Sequence, residues 1–426
     1  MKNVISVAAI LSLAGTAAAQ VSATAILLEG DVIDGATVTA LTGPRVNASG
    51  QVGSLATLSD DSRAMTIDGA SIFNSGSVLS NALTGGESAI GIGNNGEFIY
   101  SPSVDGSDAV WGQDGLIAID DTQAPDFAPG INSTFHSRPV MAGDGTAYWI
   151  SGFNDGMGGT SSQGRMIYTQ DATTGAITTI LRAGDLVDGA IVNAFGGIDF
   201  DFGVSNNNAH QLVGFTDLVA DTTTDAVYAL NGVIIAREGS SNGSGLDNWD
   251  NFNDVAVNNA GNYVFTGDTD GDSTADNFAA YNSIIGVREG DIVDNFEIDG
   301  VFDGIALSNN NEAAYIVDAV DGAGDAEEAL FYAADASAMG DAIVLLRVGD
   351  VVDLGADGQW ILDDFNAFNT GDIALGDNGI VSVEVDLESF DGLTNIEAII
   401  SVAVPAPGAA GLLGLAGLAA TRRRRG

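Results

Sequence analysis

Asn258-Asn259-Ala260-Gly261-Asn262-Tyr263-Val264-Phe265 places an Asn/Gly turn between two hydrophobic runs. The same phrase recurs in turns beginning at Asn47, Gly93, Ala142, Asn206, Ser308 and Gly376. A period of roughly 50 residues is too long for a leucine-rich repeat and matches a propeller blade. Working outward from Asn258, residues 252–257 alternate toward the turn and residues 263–266 return from it. Residues 278–281 and 284–289 supply two further β-rich runs, beyond an acidic loop. Short runs separated by Asn/Gly turns signal antiparallel hairpins. Four such strands make a blade.

The registers repeat. Phe200, Phe252 and Phe302 precede their turns by one interval. Third strands carry Trp111, Tyr168, Tyr228, Tyr281 and Tyr332, rings suited to filling the space between packed sheets. Fourth strands end in Arg182, Arg237, Arg288 and Arg347, each followed by a Gly-containing turn. The last copy shows strands near residues 373–375, 380–385 and 396–402 but no fourth. Ala25-Ile26-Leu27-Leu28 is a lone fourth strand with no blade before it. The expectation is therefore an all-β, seven-bladed, propeller-like ring of four-stranded blades. The N-terminal strand would close it, so that no sheet edge stays open. An open β-solenoid is the alternative.

The Asn-x-x-Gly-x-x-Val-Phe of Asn258 to Phe265 resembles the tandem NxxGxxAF repeat of bacterial surface proteins, over roughly residues 25–404. That resemblance implies an exported repeat protein and brings no catalytic residues with it.

The charge is extreme: 58 acidic residues against 13 basic, a formal net charge of −45. Lys2 and Arg422 to Arg425 lie in the terminal segments, so the body carries no Lys and few Arg. Such a surface repels nucleic acid and anionic membranes, because phosphate binding needs clustered Lys and Arg. It favours salt, divalent cations and basic partners. Cysteine is absent, which excludes disulfides, thiolate metal sites and Cys nucleophiles.

Residues 1–19 read as a signal peptide: Lys2, an apolar run, then Ala17-Ala18-Ala19 before Gln20. Residues 20–404 would form the repeat domain. In residues 405–426, Pro405-Ala406-Pro407 precedes an apolar run from Gly408 to Ala420 and the Arg cluster. This layout resembles the PEP-CTERM sorting signal, with Ala406 where that signal has Glu. The resemblance implies an exosortase-type sorting enzyme as partner, and export to the cell surface or matrix with the C-terminus as membrane anchor.

Among candidate sites, Asp268, Asp270, Asp272 and Asp276 alternate around Gly271, a pattern that can wrap Ca²⁺ in oxygen ligands. It lacks the helices and the twelfth-position Glu of an EF-hand. Asp105, Asp108, Asp217, Asp221, Asp318, Asp321 and Asp325 read as similar loop acids. The repeated Arg residues read as partners of nearby carboxylates. Gly239-Ser240-Ser241-Asn242-Gly243 matches Gly-x-Ser-x-Gly only by letters, since a Gly/Ser loop and no helix follows it. His136 and His210 stand near different turns, with no base–nucleophile pattern between them. The expected function is a structural or binding role toward extracellular polysaccharide or surface proteins, rather than catalysis. The alternative is a carboxylate-dependent polysaccharide hydrolase or lyase.

Overall fold

The computed structural model describes residues 20–78, 83–104, 106–154, 164–192, 201–204, 212–218, 221–229, 233–243, 247–366 and 373–404. His210, the Asn206 turn, the signal peptide and residues 405–426 lie outside them.

The described residues are all-β, with helix confined to short turns. The Asn258 copy pairs in simple antiparallel order: Trp249–Val257, Tyr263–Thr269, Phe278–Tyr281 and Ile284–Arg288. Its alternation puts Phe252, Val255, Phe265 and Phe278 into one core around Trp249. Trp249 and Phe278 pack tilted at 54°, with 4.8 Å between ring centroids. The next sheet has five strands: Ile292–Val293, Phe296–Leu307, Ala313–Val320, Ala326–Ala333 and Ile343–Arg347. Here Phe302, Tyr315 and Phe331 fill the equivalent space.

Neighbouring sheets pack through the long strands that lead into the Asn/Gly turns. Trp249–Val257 meets Phe296–Leu307, and Ile373–Leu375 touches both Phe296–Leu307 and Ala36–Val46 near the other end of the chain. The end sheets are thus in contact, giving a propeller-like arrangement instead of the extended stack of a solenoid.

The expectation of seven four-stranded blades closed by the N-terminal strand is corrected. Among the described residues the sheets are open and unequal, carrying from two to seven strands instead of four each. Nor is the last sheet a three-stranded blade completed by one strand. The N-terminal segment enters it twice, at opposite edges: Thr24–Leu28 runs antiparallel to Asn395–Ala403, and Gln20–Ser22 runs parallel to Val351–Asp353. The result is a broad, open seven-stranded sheet. The physical reason is the Gly-Asp segment that follows four of the fourth strands. It reads as connection in the sequence, but it folds into a two-residue edge strand, as at Val32–Ile33 and Ile292–Val293.

Membrane attachment through the C-terminus is also corrected. No helix among the described residues is long and apolar enough to cross a membrane. The run from Gly408 to Ala420 lies outside them.

Candidate functional site

The four predicted cation ligands do not share one shell. Asp270 is tied to Asn248, accepting from its backbone N–H at 2.7 Å and its side-chain amide at 2.8 Å. Asp272 accepts from the Thr274 N–H and hydroxyl, at 3.3 and 3.1 Å. Asp276 accepts from the Asn277 side chain at 3.2 Å. Asp268 is half-buried on the adjoining strand, where burial and then the charges of Asp250 and Asp276 push its carboxyl up to about 6. Among the described residues, no three His, Asp or Glu side chains are grouped to hold a metal ion.

Three of the four repeated arginines meet carboxylates. Arg288 reaches Asp247 at 2.8 Å, Arg182 reaches Asp185 at 3.2 Å and Arg347 reaches Asp321 at 3.5 Å. His136 is buried, and desolvation of its ring brings its pKa down to about 4, so it stays neutral. Ser241 forms a bridge with Asn248 at the edge of an exposed turn, unlike a nucleophile elbow.

The chemistry gathers where the sequence did not point. Between the Phe302 sheet and the terminal sheet, Glu328 stands among Asp303 and Asp364 and hydrogen bonds to both. Glu328 Oε2 also accepts from the Phe365 N–H at 3.3 Å, tying the two sheets together. Local irregularity aims these groups. The ladder steps from Phe302–Val317 to Gly304–Ile316, so Asp303 is a bulged residue. A second shift lies between Leu362 and Asp364.

Around this centre the acids form rows. Asp299, Asp318 and Glu328 are directly opposed across three strands, and so are Asp364, Asp386 and Glu397 in the terminal sheet. Like charges placed directly opposite destabilise a sheet. Burial, then hydrogen bonding to Asp364, pushes Glu328 up to about 8. Burial, then Asp318, raises Asp303 to about 6. Asp318 and Asp386 are raised too, mainly by burial. One carboxyl thus keeps its proton near neutrality beside charged neighbours, as general acid–base chemistry requires. The expectation of a role other than catalysis is corrected by this set to one in which a catalytic role is at least as plausible. Asp318, read from sequence as a loop acid, sits within a strand of it. The cross-strand register that assembles the acids leaves no local signal in the sequence.

A separate open groove of about 530 Å³ on the Trp149 sheet is lined by Asp144, Tyr148, Thr169, Asp171 and Thr174.

No family model matches the chain, and no curated protein does. Among solved structures it is similar to a protein of unknown function from Dyadobacter fermentans, at 12% identity and a TM-score of 0.38, covering 91% of this chain and 100% of that one. It is also similar to the polysaccharide lyase Uly1, at 11% identity and a TM-score of 0.36, covering 76% of this chain and 91% of that one. A third is the α-L-arabinofuranosidase Arb93A of Fusarium graminearum, at 10% identity and a TM-score of 0.32, covering 62% and 91%. The chain thus bears a distant resemblance to several carbohydrate-active enzymes, and at these scores the resemblance assigns no chemistry to its residues.

Proposed function

We propose that the protein is a carboxylate-dependent hydrolase of a neutral polysaccharide, acting through the acids at the junction of the last two sheets. The observation that carries this reading is the placement of Glu328 at the sheet junction, opposite Asp318 and beside Asp303 and Asp364, where burial raises its carboxyl. Glu328 would protonate the leaving glycosidic oxygen. Asp318 faces it directly across the ladder, at a Cβ separation of about 5 Å for such pairs. Carboxyls set this close suit the retaining route, in which Asp318 attacks the anomeric carbon as the aglycone departs on the oxygen that Glu328 protonates, and water then releases the sugar, giving its proton back to Glu328. Asp303 and Asp364 would keep the proton on Glu328 by their charge. The net charge of −45 repels uronate polymers, which favours hydrolysis of neutral glycans over the lyase route.

The test is release of reducing ends from a panel of neutral and uronate polysaccharides. The wild type should cleave a neutral member, and Glu328→Gln should lose at least about a hundredfold in rate, the scale of general-acid catalysis. A folded Glu328→Gln variant with full activity would sink the assignment, as would a wild type inert on every neutral polymer. The groove at Tyr148 favours a second reading, glycan binding without cleavage, because hydroxyls and carboxylates line it. Retention on immobilised neutral glycan, with no product formed, would support that reading.

A further inference from the structure

A four-residue pattern closes four of the repeats: Asp31-Val32-Ile33-Asp34, Asp185-Leu186-Val187-Asp188, Asp291-Ile292-Val293-Asp294 and Asp350-Val351-Val352-Asp353. The copies are built alike. The first Asp of each accepts from the backbone N–H three residues earlier, at Leu28, Arg182, Arg288 and Arg347, over 2.9 to 3.0 Å. The second apolar residue is buried in every copy, at Ile33, Val187, Val293 and Val352. The first apolar residue splits them. Val32 is 70% exposed, Leu186 70% and Ile292 64%. Val351 is partly covered, and Asp350 beside it is buried.

The difference is an added strand. Gln20–Ser22 lies parallel along Val351–Asp353 and fills that edge. No strand among the described residues lies on the outer edge of the other three copies, Val32–Ile33, Leu186–Val187 and Ile292–Val293. An unpaired edge is a template for another strand. Each open copy also surrounds its exposed apolar side chain with two carboxylates, and both are exposed at Asp31/Asp34 and Asp291/Asp294.

We propose that these three hairpins are docking sites for an extended peptide strand whose apolar centre is flanked by basic residues. The main chain would pair as Gln20–Ser22 does on the fourth copy. The apolar centre would cover Val32, Leu186 or Ile292, and Lys or Arg would meet the paired Asp. Three equivalent edges on one chain allow several peptides, or one repetitive basic partner, to bind together.

The probe is a fluorescein-labelled, acetylated Lys-Val-Val-Lys peptide, titrated into the mature chain and followed by anisotropy. Saturable binding of up to three peptides per chain is expected, weakening in 1 M salt. The triple variant Val32→Ser/Leu186→Ser/Ile292→Ser leaves net charge unchanged and alters only exposed positions. It should unfold at the wild-type temperature and bind at least tenfold more weakly. The same peptide with Pro in place of both Val cannot donate to a strand edge, and it should also bind at least tenfold more weakly. Absence of binding overturns the proposal, and so does equal binding by the triple variant or by the Pro peptide. A wild-type dimer that the triple variant abolishes and the peptide does not disperse would also overturn it, by giving these edges to a second copy of the chain.

Discussion

At the scale of single residues, the repeat is explained by one side chain that does two things. Asn258 Oδ1 accepts from the N–H groups of Ala260 and Asn262 at 3.0 and 3.1 Å, closing its own turn. Its side-chain amide donates to the Ser308 carbonyl of the next turn at 3.3 Å. Asn47 repeats this, capping Ser49 and Gln51 and donating to the Gly93 carbonyl at 3.0 Å. The following residues continue the chain of contacts: Asn259 N–H donates to Asn309 and Asn309 N–H to Asp377, at 2.9 and 2.8 Å. Gly261 takes a φ of +80°, which a side chain would strain. The turn itself was legible in the sequence because its residues are adjacent. The link to the next turn was not, because its partner lies about 50 residues away. Asn258→Ala removes three hydrogen bonds at a buried position, a loss of about 3 kcal/mol at roughly 1 each. Chemical denaturation reads this directly, and a variant with the wild-type midpoint and slope would show these turn-to-turn bonds to be incidental.

At the scale of elements, the alternation of strands is easy to read and the bulges are not. The sequence located residues 373–375, 380–385 and 396–402 close to the strands Ile373–Leu375, Ile380–Glu388 and Asn395–Ala403. It could not show that a register shift beside Asp303 turns an ordinary strand acid toward Glu328. The buried acids set a pH dependence whose sign follows from linkage. Glu328 and Asp303 have folded-state values raised to about 8 and about 6. The unfolded chain therefore loses these protons first as pH rises. Their stabilisation is complete below their ordinary carboxyl values and is lost as pH rises through about 6 and about 8. His136 acts on the other side: its depressed value of about 4 gives stability above 6.5 that is lost as pH falls. The thermal midpoint should fall by a few degrees between pH 6 and pH 8.5, on the scale of one or two kcal/mol in a chain this long. Glu328→Gln carries no titrating proton and should flatten that limb. An unchanged slope in the variant would remove Glu328 from the account.

At the scale of the whole molecule, local pattern gives way to long-range pairing and to charge. Counting strands at the two ends exposed a surplus near the N-terminus. A parallel contact between Gln20–Ser22 and Val351–Asp353 has no turn to announce it. Composition, by contrast, acts everywhere at once. A formal net charge of −45 opposes compaction, and little basic charge offsets it. Salt shortens the reach of that repulsion from about 10 Å at 0.1 M to about 3 Å at 1 M. The thermal midpoint should therefore rise with NaCl across this range. Ca²⁺ and Mg²⁺ at matched ionic strength separate screening from site binding. Because Asp270 and Asp272 are capped by different local partners, the two cations should raise the midpoint equally. A rise specific to Ca²⁺ would instead place an ion in the loop, provided Asp270→Asn/Asp272→Asn abolishes it, since only binding to the native state shifts unfolding by mass action.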